Sequence, residues 1–508
     1  MHEVVEADDV PAIRELICIE PNLVKFNWDG EVLCPPMVLA ARLGRHAILD
    51  VLMKHRATLP SEMRVIPEYG ADDDYLRWGT PLTEACAWGR LNTVRLLLQG
   101  MPDTDINEVA LDGLTPLLAA ANFQIGPPEA RVELIRFLIK RGADIHAVRQ
   151  AFLSYYETLE KRYDESCETS PFVWRPRPGG NGNALALALR SDSTHPGVVA
   201  VLVEAGVSVY QSYSDGITAI DKTDGQDVGR YDHCYYDRAY ISPIAAGAKH
   251  HNVDGVKALL ALFPDDHNRL LATTDAVLVP QPLTPLRDPD DEVPVLLPLH
   301  AAAMGPSRAS LPWALNDCKD YCKAAVDMVR LLTADAAICA ATINARYRRY
   351  YTPLHLATGF HRMPLMLALV ERGADIEALP RQNGPGLILS LFSSVSRSSC
   401  CSHVQYEFSP WFVAELDASI DVMAMLTQLL GRYRPRGKDA QLDAQNAATR
   451  VALINEADAN GNTPLHFAMA YRMHRSTAAL LALGARANAA NHAGQVPSAP
   501  PPGEKPSF

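Results

Sequence analysis

Thr352-Pro353-Leu354-His355-Leu356-Ala357, followed shortly by Met366-Leu367-Ala368-Leu369-Val370-Glu371-Arg372-Gly373-Ala374-Asp375-Ile376, reads as two short helices with a written start and a written stop. Thr352 offers a side-chain oxygen to the orphan amides of the first turn. Pro353 stands at the first helical position, where its missing N–H costs nothing. Gly373 suits the left-handed conformation that ends the second helix. Leu354, Leu356 and Ala357 lie on one side of the first helix. Leu365, Leu367, Leu369 and Val370 make the second too apolar to stand alone. A pair of this kind has to lean on a neighbour.

The neighbours are in the chain. Thr463-Pro464-Leu465-His466-Phe467-Ala468 runs to Leu480-Leu481-Ala482-Leu483-Gly484-Ala485, and Thr115-Pro116-Leu117-Leu118 runs to Arg141-Gly142-Ala143-Asp144-Ile145. Thr80-Pro81-Leu82 runs to Leu96-Leu97-Leu98-Gln99-Gly100, and 35 positions separate Thr80 from Thr115. These shared starts and stops, at a spacing close to the ankyrin period of about 33, resemble the ankyrin repeat family. The resemblance implies an all-α solenoid of stacked helix–turn–helix units with short β-hairpin fingers and several loop insertions. It also implies that His355 and His466 bond within and between loops rather than act as catalysts.

Composition agrees with a long continuous core: hydrophobic residues make up 48% of 508. A formal net charge of −12 argues against nucleic acid as the partner. Ten cysteines in a chain of this length make no dense disulfide framework. The acidic start Met1-His2-Glu3-Val4-Val5-Glu6 lacks a basic-then-apolar leader pattern, and the apolar run from Val293 to Met304 is too short for a bilayer. The expectation is a soluble, intracellular, reduced protein that touches no membrane, with nucleus and cytoplasm both open.

In chain order, residues 1–146 read as N-terminal repeats including a capping repeat, and 147–182 as an insertion. Residues 183–263 hold degenerate repeats, in which Ser242-Pro243 rather than Asp215-Gly216 starts the sixth unit. Residues 264–298 read as an acidic, proline-rich loop, and 299–490 as C-terminal repeats with a serine-rich insertion at 393–415. A degenerate ninth unit uses Leu387 to Leu391 and Ile420 to Leu430. The proline-rich tail, 491–508, reads as disordered.

Chemistry has few places to hide. Gly431-Arg432-Tyr433-Arg434-Pro435-Arg436-Gly437-Lys438 has five residues between its glycines where a phosphate-binding loop needs four, and Asp439 where Ser or Thr belongs. Cys318 and Cys322 near His300, and Cys400-Cys401 near His403, lack the paired spacing of a zinc site. The reading is therefore no catalytic residue, no cofactor and no metal. A nucleotide- or metal-dependent activity is kept only as the alternative these two features would carry.

Stacked units make an extended surface suited to another protein. Eight positions after the starting Thr of each clear unit stand Trp88, Phe123, Phe360 and Tyr471. The resemblance implies that this place borders the concave groove, where aromatic rings favour an interface and equally cover the next repeat. Tyr347, Arg348 and Arg349, within Arg346-Tyr347-Arg348-Arg349-Tyr350-Tyr351, form the strongest basic-aromatic run, able to dock an acidic peptide or to pair with the chain's own carboxylates. Tyr231 to Arg238 is a second aromatic finger. The sequence thus reads as a monomeric, non-catalytic protein-interaction scaffold or adaptor. Its alternative is a regulatory or substrate-recruiting subunit whose insertions hold a second partner.

Overall fold

A computed structural model of the chain describes residues 2–19, 36–58, 79–110, 113–122, 127–149, 181–191, 193–214, 240–273, 277–278, 295–306, 319–347, 351–359, 362–375, 388–389, 391–392, 417, 421, 440–458 and 460–499. The helices come in pairs. The first four are α1 (His2–Glu6) with α2 (Val10–Ile19), α3 (Pro36–Leu43) with α4 (His46–Thr58), α5 (Pro81–Ala87) with α6 (Leu91–Gly100), and α7 (Pro116–Asn122) with α8 (Pro128–Lys140). Then follow α9 (Ala184–Leu189) with α10 (Pro196–Glu204) and α11 (Pro243–Lys249) with α12 (Val253–Leu262). A short α13 (His267–Ala272) precedes α14 (Pro298–Met304) and α15 (Lys319–Leu332), and α16 (Ala336–Thr342) precedes α17 (Pro353–Gly359) and α18 (Met363–Glu371). Beyond them lie α19 (Ala440–Ile454) and a last pair, α20 (Pro464–Ala470) with α21 (His474–Ala482).

First helices pack on first helices in one row from α1 to α17, and second helices pack on second helices from α2 to α18. The starts are built as the residue types require. Thr80 Oγ1 accepts from the Thr83 amide (3.1 Å), Thr115 Oγ1 from Leu118 (3.3 Å) and Ser242 Oγ from Ala245 (3.3 Å), each followed by proline at the first helical position. Ser242 is therefore the start of the sixth unit. At Thr352 and Thr463 the backbone N–H donates to Nδ1 of the histidine three residues on, His355 (3.2 Å) and His466 (3.0 Å). The stop at Gly373 has φ +102°.

Two seams of hydrogen bonds join one unit to the next. In the first, a side chain after a first helix takes a carbonyl of the unit before it. Arg45 Nη2 donates to Glu6 O (2.7 Å), Arg90 Nε to Arg42 O (3.3 Å), Asn252 Nδ2 to Leu189 O (3.2 Å) and Arg362 Nη2 to Pro306 O (3.1 Å). In the second, an Asn accepts an amide just past the following second helix. Asn107 Oδ1 takes it from Asp144 (2.7 Å), Asn344 Oδ1 from Asp375 (2.7 Å) and Asn455 Oδ1 from Arg486 (2.8 Å).

Between the units run the fingers. β1 (Gln211–Ser214) and β2 (Tyr240–Ile241) pair antiparallel, with Tyr213 opposite Ile241. β3 (Val277–Leu278) joins β1 in parallel and β4 (Val295–Leu296) joins β2 in parallel, giving the order β3-β1-β2-β4. The arms of one finger thus straddle the base of the one before. Arg149 pairs with Gly182 at the base of the 150–181 excursion.

Two expectations change, and a third falls partly outside the described residues. Residues 264–298 are not loop throughout, because Leu270 and Leu271 bury themselves and hold α13 against α14 and α16. Residues 491–495 do not belong to a disordered tail: the Asn491 side chain accepts from the amides of Ala493 (3.1 Å) and Gln495 (2.8 Å), and Gln495 O meets His466 Nε2 (3.2 Å). In the ninth unit Ile388, Leu389 and Leu391 are buried, while Ile420 lies outside the described residues together with 422–439. Further on, α19 places Asn455 on Gly484 O (3.0 Å).

Asn252 is fully buried and also accepts from the amides of Gly255 (2.9 Å) and Thr194 (3.2 Å). Replacing it with alanine strands these groups without solvent, a loss of about 2–4 kcal/mol at roughly 1–3 kcal/mol per unsatisfied buried group. Urea unfolding followed by circular dichroism should show the central units melting earlier in Asn252→Ala, and an unchanged midpoint would sink this account of the seam.

Candidate functional site

The expected binding face runs along the first helices, so their exposure decides where a partner can reach. In α9, α11 and α14 every residue is buried, and so are the described side chains of α17 from Pro353 to Thr358. In α7 only Asn122 is partly open. Small side chains allow this. A Cβ at Gly247 of α11 would stand 2.9 Å from Val256 Cγ2 and 3.3 Å from Leu189 Cβ, so the helices approach as closely as glycine and alanine permit. The middle of the row offers no side chain to a partner among the described residues.

The ends differ. Trp88, at the C-cap of α5, is half-buried, with the Arg42 guanidinium 5.4 Å over its ring. Arg42 Nε also donates to Glu84 Oε2 (3.2 Å), and Arg90 Nε takes Arg42 O. Beside them Arg45 pairs with Asp8 (3.6 Å), and His46 Nε2 meets Thr93 Oγ1 (2.9 Å). Tyr471, at the C-cap of α20, is half-buried too, and burial pushes its hydroxyl up to about 12. The sequence spacing brings both rings to the same place in their repeats, the turn after the first helix. Phe123, Phe360, Arg348, Arg349 and residues 231–238 lie outside the described residues.

Tyr347 departs from its expected role. It is 3% exposed, because the bridge between Tyr347 and Tyr351 (2.8 and 3.0 Å) turns its ring inward, 6.2 Å from the ring of His300. It serves as core and is not a docking residue. His300 donates its Nε2–H to Ala345 O (3.0 Å), and burial lowers its pKa to about 4, only partly offset by backbone hydrogen bonds to Ala345 and Tyr351. His355 and His466 bond to their own Thr as the resemblance implies, and His466 reaches the following turn as well.

A groove of about 640 Å³ opens where α8, α10 and α12 begin, lined among others by Arg131, Thr194, His195, Asp254 and Lys257. Its polar groups are largely spent on structure. Arg131 binds Ala120 O and Ala87 O, Thr194 Oγ1 donates to Ala188 O (2.7 Å), and His195 Nδ1 accepts from Gly197 (3.2 Å). Cys86 is fully buried, and burial raises its thiol pKa, which keeps it a packing group. Among the described residues no cluster of three His, Cys, Asp or Glu could hold a metal ion, and no helix is long and apolar enough to cross a membrane. The glycine-flanked basic loop, Cys318, Cys400 and Cys401 fall outside the described residues.

Paired helices, Thr-Pro starts, glycine stops and nearest-neighbour seams meet a family description at this point: residues 37–149 match a family model of ankyrin repeats in three copies, and 460–492 match a single ankyrin repeat. The chain carries ankyrin repeats. It is also 28% identical over 166 residues to the transient receptor potential cation channel subfamily A member 1 of Drosophila melanogaster. That match spans 32% of this chain and 13% of the channel subunit. Ankyrin repeats are generally protein-interaction modules, and proteins built from them are typically non-catalytic.

Asparagine missed by sequence reasoning carries much of the repeat's geometry. Ile106-Asn107, Ile343-Asn344 and Ile454-Asn455 recur one unit ahead of the amide they bind, and that dipeptide could have found them.

His300 makes a pH prediction. Its folded pKa lies below the ordinary histidine value of 6.5, so between pH 6.5 and 4 the unfolded chain binds a proton the native state refuses. Its contribution is present above pH 6.5 and is lost as pH falls, by at most about 3 kcal/mol at 1.36 kcal/mol per pKa unit. Unfolding midpoints for the parent and His300→Gln at pH 7 and pH 4.5 should show a smaller acid loss in the variant. Equal losses would show that His300 does not set the slope.

Proposed function

We propose that this chain is a non-catalytic adaptor that holds another protein at the turns after the first helices of its ankyrin repeats. The observation that carries the reading is a pair of rings: Trp88 and Tyr471 stand partly exposed at the turns after α5 and α20, where the turns after α9 and α11 carry the likewise partly exposed Arg190 and His250 instead. Large rings bury much area for little rotamer entropy, which suits them to the centre of an interface. In the groove where α8, α10 and α12 begin, Arg131, Thr194 and His195 are engaged in caps and clamps, which favours a binding reading over a catalytic one.

The test uses the whole chain as bait. Trp88→Ala and Tyr471→Ala, singly and together, should each lower recovery of the captured partner about tenfold or more, the range of an interface anchor losing roughly 1.4 kcal/mol or more. The helical circular dichroism signal should survive. Unfolding of the single variants, or full capture by the folded double variant, would assign both rings to packing alone.

A further inference from the structure

The proposed binding site at the third unit has its own chemistry, and it runs against the charge of the whole chain. At −12 the chain should attract basic segments in general. Around Trp88 cations cluster, two of them paired (Arg42 with Glu84, Arg45 with Asp8) and Arg90 exposed. Three guanidiniums (Arg42, Arg45 and Arg90) and the imidazole of His46 gather at the junction of the first three units.

The carboxylates there are partly spent. Glu84 is held by Arg42 Nε and by the Gly79 amide (3.1 Å), and Asp8 faces Arg45. Arg90 is exposed and engages only its Nε, on Arg42 O, among the bonds described for it; its terminal amino groups remain available. Arg90 also lies over Gly44, whose added Cβ would stand 3.6 Å from Arg90 Cδ. That contact holds the arginine stem against the turn between α3 and α4, with its Nε on Arg42 O. Arg42 in turn stacks on the Trp88 indole. The result is a flat apolar ring edged by forked donors, the geometry that receives carboxylates bidentately while covering an apolar neighbour.

We infer that the surface formed by Trp88, Arg90, Arg42, Arg45 and His46 takes an acidic peptide segment, with its carboxylates on the arginines and an apolar side chain on the indole. The inference rests on the adaptor reading for its location and adds the partner's charge.

The experiment separates the two. Fluorescence anisotropy on the full chain compares a labelled twelve-residue Glu/Asp peptide containing one Leu with a Lys/Arg peptide of the same length. The acidic peptide should bind saturably and more weakly at 0.5 M salt than at 0.05 M, since such charge pairs are screened. Trp88→Ala should weaken it about tenfold and Arg90→Glu about fivefold or more, in line with an anchor ring and an exposed charge reversal. Arg90→Gln, which neutralises without reversing, should fall between. Circular dichroism and thermal midpoints identify folded variants.

Equal or tighter binding of the basic peptide, no saturable binding of the acidic one, or folded variants that bind it like the parent would each overturn the inference. If Trp88→Ala abolishes capture of the natural partner while the acidic peptide never binds, the adaptor reading stands and the acidic class falls.

Discussion

The first helices of this protein end in carbonyls that their own helix cannot satisfy, and the donor comes from the unit next door. Arg45, Arg90, Asn252 and Arg362 each make that bond. Arg131 shows how far the arrangement goes. It is 2% exposed, reaches Ala87 O and Ala120 O, and burial lowers its pKa only to about 10, so it stays a cation near neutral pH. A planar fork of five donors can cross from one repeat to the next and meet two carbonyls, which an ammonium point charge does less well. A buried unsatisfied carbonyl would cost about as much as the bond gains, so the buried clamps of Arg131, Asn252 and Arg362 both remove a penalty and join two units.

These clamps explain why the row closes so tightly. With carbonyl ends satisfied at one edge and asparagines fixing the turns at the other, the helices between need only small side chains. Ala184, Ala186 and Ala188 of α9 face a row that continues with Ala245, Ala246 and Gly247 of α11 and Ala301 to Ala303 of α14, all buried. Close packing of this kind gains dispersion contacts but leaves the bodies of these first helices nothing to offer outside. On the proposed reading, a partner surface comes from larger residues at the turns, as at Trp88.

Local chemistry made the repeat starts legible. Thr80, Thr115, Thr352 and Thr463 combine a capping oxygen with a following proline, and both effects act within one turn, so sequence alone places them. What escaped is what depends on distant partners. Helix α16 buries only Ile338 and Thr342 on the side it hides, too few for a periodic signal, and α13 likewise rests on Leu270 and Leu271. Asp417 accepts from the amides of Arg475 (2.7 Å) and Ser476 (2.8 Å), capping a helix 58 residues away, and nothing near Asp417 in sequence announces it. Tyr347 sits in a basic-aromatic run that reads as surface, yet its bridge to Tyr351 turns it onto His300. The spacing that located Trp88 and Tyr471 was equally local. Their half-burial was not, since it is set by Arg42 and by the neighbouring units.

A chain coupled only between neighbours also limits how its ends can influence each other. Stability in such a stack is a sum of unit terms and interface terms, so binding at one end strengthens nearby junctions first. The junction around Trp88 is joined through Arg42, Glu84 and Arg90, all within the second and third units. Tyr471 lies in a unit tied to Asp417 and Asn455 instead. Coupling between the two proposed sites would need an element with two discrete arrangements that both sites bias. A partner long enough to reach both would gain selectivity through effective concentration, with no conformational signal required.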